Sequence, residues 1–216
     1  MKKKVFVVGS DLNYADFIKD VTLTSNMKEA DIVLFTGGED VNPKLYGAKC
    51  HPSTAFNTNR DLAEVSVFKK IKSNQLAIGV CRGSQLMCVL NGGKLVQNCS
   101  NHALAGTHGI TDGNVEYEIT STHHQMQYPY NLNEKDYTVL FTSNSLRSRC
   151  YEGDLINPDI VCIKGEPEIV LYHKEGHPKC LAIQGHPEYM RPNAPVVEML
   201  NNLINDTLKT IENYAV

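Results

Sequence analysis

Cys81 stands at the centre of Gly79-Val80-Cys81-Arg82-Gly83, with small residues two before it and two after. That spacing is the nucleophile-elbow pattern, with sulfur in place of a serine hydroxyl. A strand-to-helix turn this sharp crowds its flanking backbone, and residues without side chains fit there. The turn would hold the thiol above a sheet edge at a helix N-terminus. The helix dipole there favours the thiolate, the reactive form. The chemistry expected of such a group is nucleophilic attack on a carbonyl carbon.

A thiol nucleophile needs a base that takes its proton and later returns it. His186, in Gln184-Gly185-His186-Pro187-Glu188, follows an apolar run and is the best candidate. Glu188, two residues on, could orient the imidazole as the third member of a triad. Each residue alone has an ordinary reading, as a core thiol or a loop histidine. Together they make a Cys-His-Glu constellation.

The elements that must position these residues can be read from the same sequence. Val5–Val8, the run 31–36 and the run 76–80 are continuous apolar stretches, as expected of strands buried on both faces. Residues 84–90 continue as a helix that Asn91-Gly92-Gly93 stops. Residues 61–72 have helical apolar spacing, and 195–213 carry one apolar face. Residues 39–59, rich in Pro, Asn, Gly and Thr, read as a long loop. The runs 115–119, 137–142, 168–173 and 179–184 read as strands, the last two as a hairpin. The expected fold is α/β: a flavodoxin-like, doubly wound, mostly parallel sheet with helices on both faces and a small antiparallel extension. In such sheets the site lies at the carboxyl ends of the strands, where both Gly37-Gly38 and Cys81 would fall.

Bulk properties narrow the function classes. The 216 residues suit one α/β domain spanning 1–216. No 18-residue apolar run or signal-peptide pattern occurs, and seven cysteines without a paired framework fit a reducing cytoplasm. A net charge of −3 argues against nucleic acid as the main partner. Neither a P-loop nor a dinucleotide fingerprint is present, so no cofactor is expected. A zinc site built from His102 and His108, or from His123 and His124 with Cys99, lacks the usual paired spacings, and no metal is expected.

The two segments around Cys81 and His186 resemble those of the class I (triad) glutamine amidotransferases. The closer likeness is to the γ-glutamyl hydrolase branch, the peptidase C26-like enzymes that include γ-glutamyl-γ-aminobutyrate hydrolase. Four further segments carry it: Gly37 to Gly47 (GGEDVNPKLYG), Arg60-Asp61 with Glu64, Asn91 to Leu95 (NGGKL), and Thr122-His123-His124-Gln125. The resemblance implies that Cys81 attacks the γ-carbonyl of a glutamine-like amide, with His186 as base and then acid and Glu188 orienting it. It implies an oxyanion hole from the backbone N–H groups of Gly38 and Arg82, and substrate contacts from Gln85. It also brings His123, His124 and Gln125 to the site as substrate-binding residues. One departure stands out: the residue before the histidine is usually a bulky aromatic, and here it is Gly185, which is expected to widen the pocket or loosen the histidine strand.

The expected activity is therefore a cysteine-dependent amidohydrolase acting on carbon–nitrogen bonds, cleaving glutamine or a γ-glutamyl-amine through a γ-glutamyl thioester. One alternative is a glutaminase subunit that delivers ammonia to a separate synthetase or amidoligase. Another is a catalytically silent binding module, against which the intact Cys81, His186 and Glu188 speak. The partners are a small-molecule γ-glutamyl substrate and, for the first alternative, the synthetase; neither membrane nor nucleic acid is among them.

Overall fold

The computed structural model describes residues 2–103 and 106–214, the side chain of Tyr214 excepted. Its strands are β1 Lys3–Val8, β2 Val21–Leu23, β3 Ile32–Phe35, β4 Leu76–Val80, β5 Lys94–Val96, β6 Asn98–Cys99, β7 Thr107–Thr111, β8 Glu116–Thr120, β9 Met126–Tyr128, β10 Tyr137–Ser143, β11 Tyr151–Glu152, β12 Pro167–Tyr172 and β13 Cys180–Ile183. The helices are α1 Thr58–Phe68, α2 Arg82–Leu90, α3 Pro158–Lys164 and α4 Pro195–Tyr214. Nine strands form one sheet in the order β2-β1-β3-β4-β13-β12-β10-β7-β8. Pairing is parallel from β2 to β13 and antiparallel from β13 to β8. Two short ribbons, β5 with β9 and β6 with β11, complete it.

The central strands bury both faces because their side chains alternate between two helical layers. Ile32 and Leu34 pack with Val5, Ile78 and Leu181 against Val196, Leu200 and Ile204 of α4. Their neighbours Val33 and Phe35 pack with Ala77 and Ala182 against Leu86 and Met87 of α2 and Phe68 of α1. That two-sided burial is what the continuous apolar runs encode. Fully burying a side chain of this size stabilises by about 1.5–3 kcal/mol.

Local chemistry sets the element ends. α1 begins at Thr58 rather than at residue 61 because Asn57 caps it, accepting from the N–H groups of Asn59 and Arg60. Between β1 and β2 there is only a short 3-10 turn, Leu12–Ala15, so the usual crossover helix is trimmed. The long 39–59 loop is tied down. Asp40 Oδ2 accepts from Ala55 N at 2.8 Å, and Asn42 caps the turn Pro43–Tyr46. Among the described residues no helix is long and apolar enough to cross a membrane.

Candidate active site

β4 and β13 run parallel with Ile183 opposite Val80, so their carboxyl ends reach the same edge together. Cys81 N donates to Ile183 O at 2.8 Å, fixing the first residue after β4 against the end of β13. Cys81 has φ +51° and ψ −108°, a conformation that costs a residue with a side chain about 1–3 kcal/mol. The glycines make it possible. A Cβ at Gly79 would lie 2.3 Å from Gly83 O, and one at Gly83 would lie 2.3 Å from Phe35 O. The Ser84 and Gln85 N–H groups both point to Cys81 O. At a helix start this leaves the Arg82 and Gly83 N–H groups without intrahelical acceptors.

His186 follows β13, and its Nδ1 lies 2.7 Å from Glu188 Oε1. Both side chains are nearly buried. Burial opposes charge on the imidazole, but hydrogen bonds to Cys81 and Glu188, and then their charges, outweigh it and push its pKa up to about 10. The ring of Tyr189 stacks on His186 with centroids 4.9 Å apart and planes within 9°, and Tyr189 is exposed on its other side. Gly37 passes over the group: a Cβ there would meet Tyr14 Oη at 2.6 Å, His186 Cε1 at 3.0 Å and Cys81 Cβ at 3.5 Å. Burial, and then the negative charge of Glu188, raise the pKa of the Tyr14 hydroxyl, so it stays protonated beside Cys81, His186 and Glu188.

Gly38, at φ +139°, is held by Arg60. Arg60 Nη2 donates to Gly37 O at 2.7 Å, while its Nε donates to Glu64 Oε1 at 2.8 Å. Glu64 also pairs with the fully buried Arg82, whose other arm reaches Asp61. Asp61 in turn accepts from Asn42 N at 3.2 Å. Arg60, Asp61 and Glu64 therefore join α1, the Gly37-Gly38 loop and the first residue of α2. By spacing alone Arg60 and Glu64 read as a helix-surface pair, and nothing in the sequence marks Arg82 as the buried partner of Glu64 and Asp61.

The remaining predicted contacts lie deeper. Gln85 Nε2 donates to Gln125 O at 2.9 Å, so Gln85 anchors the 122–125 loop to α2. Gln125 Nε2 donates to Thr54 Oγ1 at 3.0 Å. His124 Nε2 lies 3.1 Å from Asp40 Oδ1, which raises its pKa against a smaller effect of burial. His123 is buried, its ring centroid 4.7 Å from that of His102, and burial pulls its pKa down to about 3. Gly185 opens no gap. A Cβ there would meet Thr120 O at 2.6 Å and Ile119 Cδ1 at 2.8 Å, so β8 fills the space an aromatic would take. Thr120 Oγ1 also donates to His186 O at 2.6 Å and accepts from His186 N at 3.1 Å, which holds the histidine strand firmly.

This architecture is the one found in class I glutamine amidotransferases. A glutamine amidotransferase from Thermotoga maritima matches with a TM-score of 0.56 at 14% identity, covering 99% of this chain and 91% of that one. A candidate GMP synthase subunit from Thermoplasma acidophilum matches with a TM-score of 0.58 at 17% identity, covering 100% and 96%. Residues 17–145 match the family model described as Peptidase C26, and the chain belongs to that family. The glutamine amidotransferase-like protein YvdE of Lactococcus lactis is 38% identical over 101 residues, 43% of this chain. That match spans only 42% of YvdE's own length. The glutamine amidotransferase-like protein of Rickettsia prowazekii is 24% identical over 85% of this chain and 79% of its own.

Proposed function

We propose that residues 1–216 form one hydrolase domain that cleaves the γ-amide of glutamine or of a γ-glutamyl-amine. The observation that carries this reading is Cys81, held at φ +51° on the elbow next to His186, whose imidazole Glu188 clamps at 2.7 Å. The Cys81 thiolate attacks the γ-carbonyl carbon, and its electron pair becomes the C–S bond. The negative charge on the carbonyl oxygen is met by the N–H groups of Arg82 and Gly38, and such donors commonly contribute about 3 kcal/mol each. His186, protonated at neutral pH, gives its Nε2 proton to the departing nitrogen, and ammonia or an amine leaves. Water then attacks the γ-glutamyl thioester as His186 takes its proton, the C–S bond breaks, and glutamate is released with the thiolate and the protonated imidazole restored. The structural effect of Glu188 is to keep Nδ1 as the donor and Nε2 facing the sulfur.

A cleft of about 510 Å³ is lined by Gly9, Tyr14, Thr36, Gly37 and Arg60; it meets the site at Gly37 and Tyr14, and neither Cys81 nor His186 lines it. The second reading, a glutaminase that passes ammonia to a separate synthetase, takes its support from the Thermoplasma neighbour, whose name describes one part of a synthase. Ammonia release from glutamine and amine release from γ-glutamyl-amines, compared between wild type and Cys81→Ala, test the hydrolase. Equal rates in both proteins would sink it. Activity on glutamine that rises only with an added partner would favour the second reading.

A further inference from the structure

Away from Cys81, the antiparallel half of the sheet encloses a cluster of imidazoles and carboxylates that the proposed hydrolysis does not use. His102 lies in the turn after β6, His108 on β7, His123 between β8 and β9, and Glu168 on β12, with Glu166 just before it. All five are buried. His102, His123 and Glu168 each offer one donor atom, and these three atoms lie within 4.8 Å of one another. Along the chain the spacings gave no sign of this, because the three residues come from separate segments.

The cluster is incompletely satisfied in a directed way. His123 Nδ1 is 2.9 Å from Gln125 O, so that nitrogen carries the hydrogen and Nε2 presents its lone pair. His123 Nε2 has no hydrogen-bond partner among the described residues. Among the described residues neither ring nitrogen of His102 makes an aligned hydrogen bond, although Nε2 lies 3.2 Å from Glu166 Oε1 and Nδ1 lies 3.6 Å from Glu168 Oε1. On Glu168, Oε1 is engaged by His108 Nε2 at 2.9 Å and by Ser143 Oγ at 3.1 Å, while Oε2 has no partner among the described residues. Buried donor atoms on three segments that make no hydrogen bond among the described residues are costly unless something binds them. Each ring's opposite side faces an oxygen: Gln125 O for His123 and Glu166 for His102. That outer arrangement is the one that orients metal-binding histidines.

We propose that His102, His123 and Glu168 bind a divalent transition-metal ion, zinc by the borderline character of two imidazoles and one carboxylate. Bonds of about 2.0 Å place tetrahedral donors about 3.3 Å apart, so the side chains would close by about 1.5 Å at most on binding. The ion would join the turn at 102 and the 122–125 loop to β12. Because Gln125 O accepts from Gln85 Nε2, it would also steady the loop that α2 leans on. The role is structural, and it stands whether or not the hydrolase reading is right.

The test uses the full chain, stripped with chelator and dialysed, then incubated with Zn²⁺ or Co²⁺ and desalted. Mass spectrometric metal analysis should find close to one retained equivalent per chain, and Zn²⁺ should raise the Tm. Co²⁺ should give a visible spectrum without the thiolate charge-transfer band of a cysteine ligand. His102→Gln and Glu168→Gln should weaken binding at least 100-fold with the circular dichroism spectrum unchanged, while Cys81→Ala and His51→Ala should retain it. A folded wild type that retains no metal overturns the proposal, as does binding that survives Glu168→Gln or vanishes in Cys81→Ala. Should the cluster variants fail to fold, the wild-type stoichiometry, Tm shift and Co²⁺ spectrum decide it alone.

Discussion

Glu188 Oε1 sits 2.7 Å from His186 Nδ1 within a single turn after β13, and that contact, with Cys81, sets how tightly His186 holds its proton. The imidazole pKa is raised from 6.5 to about 10, against burial, by Cys81 and Glu188. A group that binds its proton more tightly when folded stabilises fully below its unfolded value, and that contribution disappears as pH rises through the folded value. The His186 contribution should therefore be complete below about pH 6.5 and lost towards pH 10. Glu188→Gln removes one of the charges that raise the value, so both this loss and the alkaline limb of kcat/KM should move to lower pH. Thermal melts and rate profiles from about pH 6 to 10.5 check it, and an unmoved alkaline limb would argue against the contact as its cause. At neutral pH the same variant should lose kcat by roughly 10⁴-fold.

Arg82 is fully buried between Asp61 and Glu64. Removing one partner of a buried ion pair leaves uncompensated charge, at a cost of about 3–5 kcal/mol. Arg82→Met should lower the unfolding free energy in urea by about that amount. A change under about 1 kcal/mol would mean that water or a shifted Arg60 compensates.

Arg60 acts at a distance from the sulfur, through Gly37 O and Thr36. Arg60→Lys keeps the charge but cannot grip both Gly37 and Glu64 with one planar fork. Release of the Gly37-Gly38 loop should lower kcat by about 10²-fold, the cost of misplacing an oxyanion donor. KM should change less. An unchanged kcat would remove Gly38 from the proposed oxyanion hole.

Substitution at Gly185 separates a pocket widened by glycine from close packing against β8. A pocket widened by glycine would tolerate Gly185→Ala. Contact with Thr120 O and Ile119 instead predicts a destabilisation of about 1–3 kcal/mol with displacement of His186 and a drop in kcat. Differential scanning calorimetry with steady-state kinetics distinguishes them.

The parallel half of the fold was legible because its information is local. Ile32 through Phe35 form a run apolar at every position, the pattern of a strand buried on both faces. The elbow was legible for the same reason, since Gly79, Cys81 and Gly83 fall within five residues. What stayed hidden depends on long-range closure. Arg82 finds Asp61 and Glu64 across about twenty positions, and His102, His123 and Glu168 meet only after β10 has joined β12 to β7 and β8. No periodicity marks such residues, because each belongs to a different element. Gly185 was read for the side chain it lacks, whereas its surroundings are decided by β8, a strand whose packing partners no local pattern reveals.

Catalysis is assigned to the sulfur of Cys81, and the other six cysteines provide internal controls. Cys50, Cys150 and Cys162 are exposed, while Cys88 and Cys180 are buried with their pKa values pushed up to about 12. The most direct measurement is intact-protein and peptide mass spectrometry after acid quenching during turnover of glutamine, and again after treatment with a glutamine-analogue diazo-ketone. The expected result is a γ-glutamyl adduct and a single covalent label, both on Cys81 and both absent from Cys81→Ala. A label or adduct on another cysteine, or undiminished amide hydrolysis by Cys81→Ala, would contradict it.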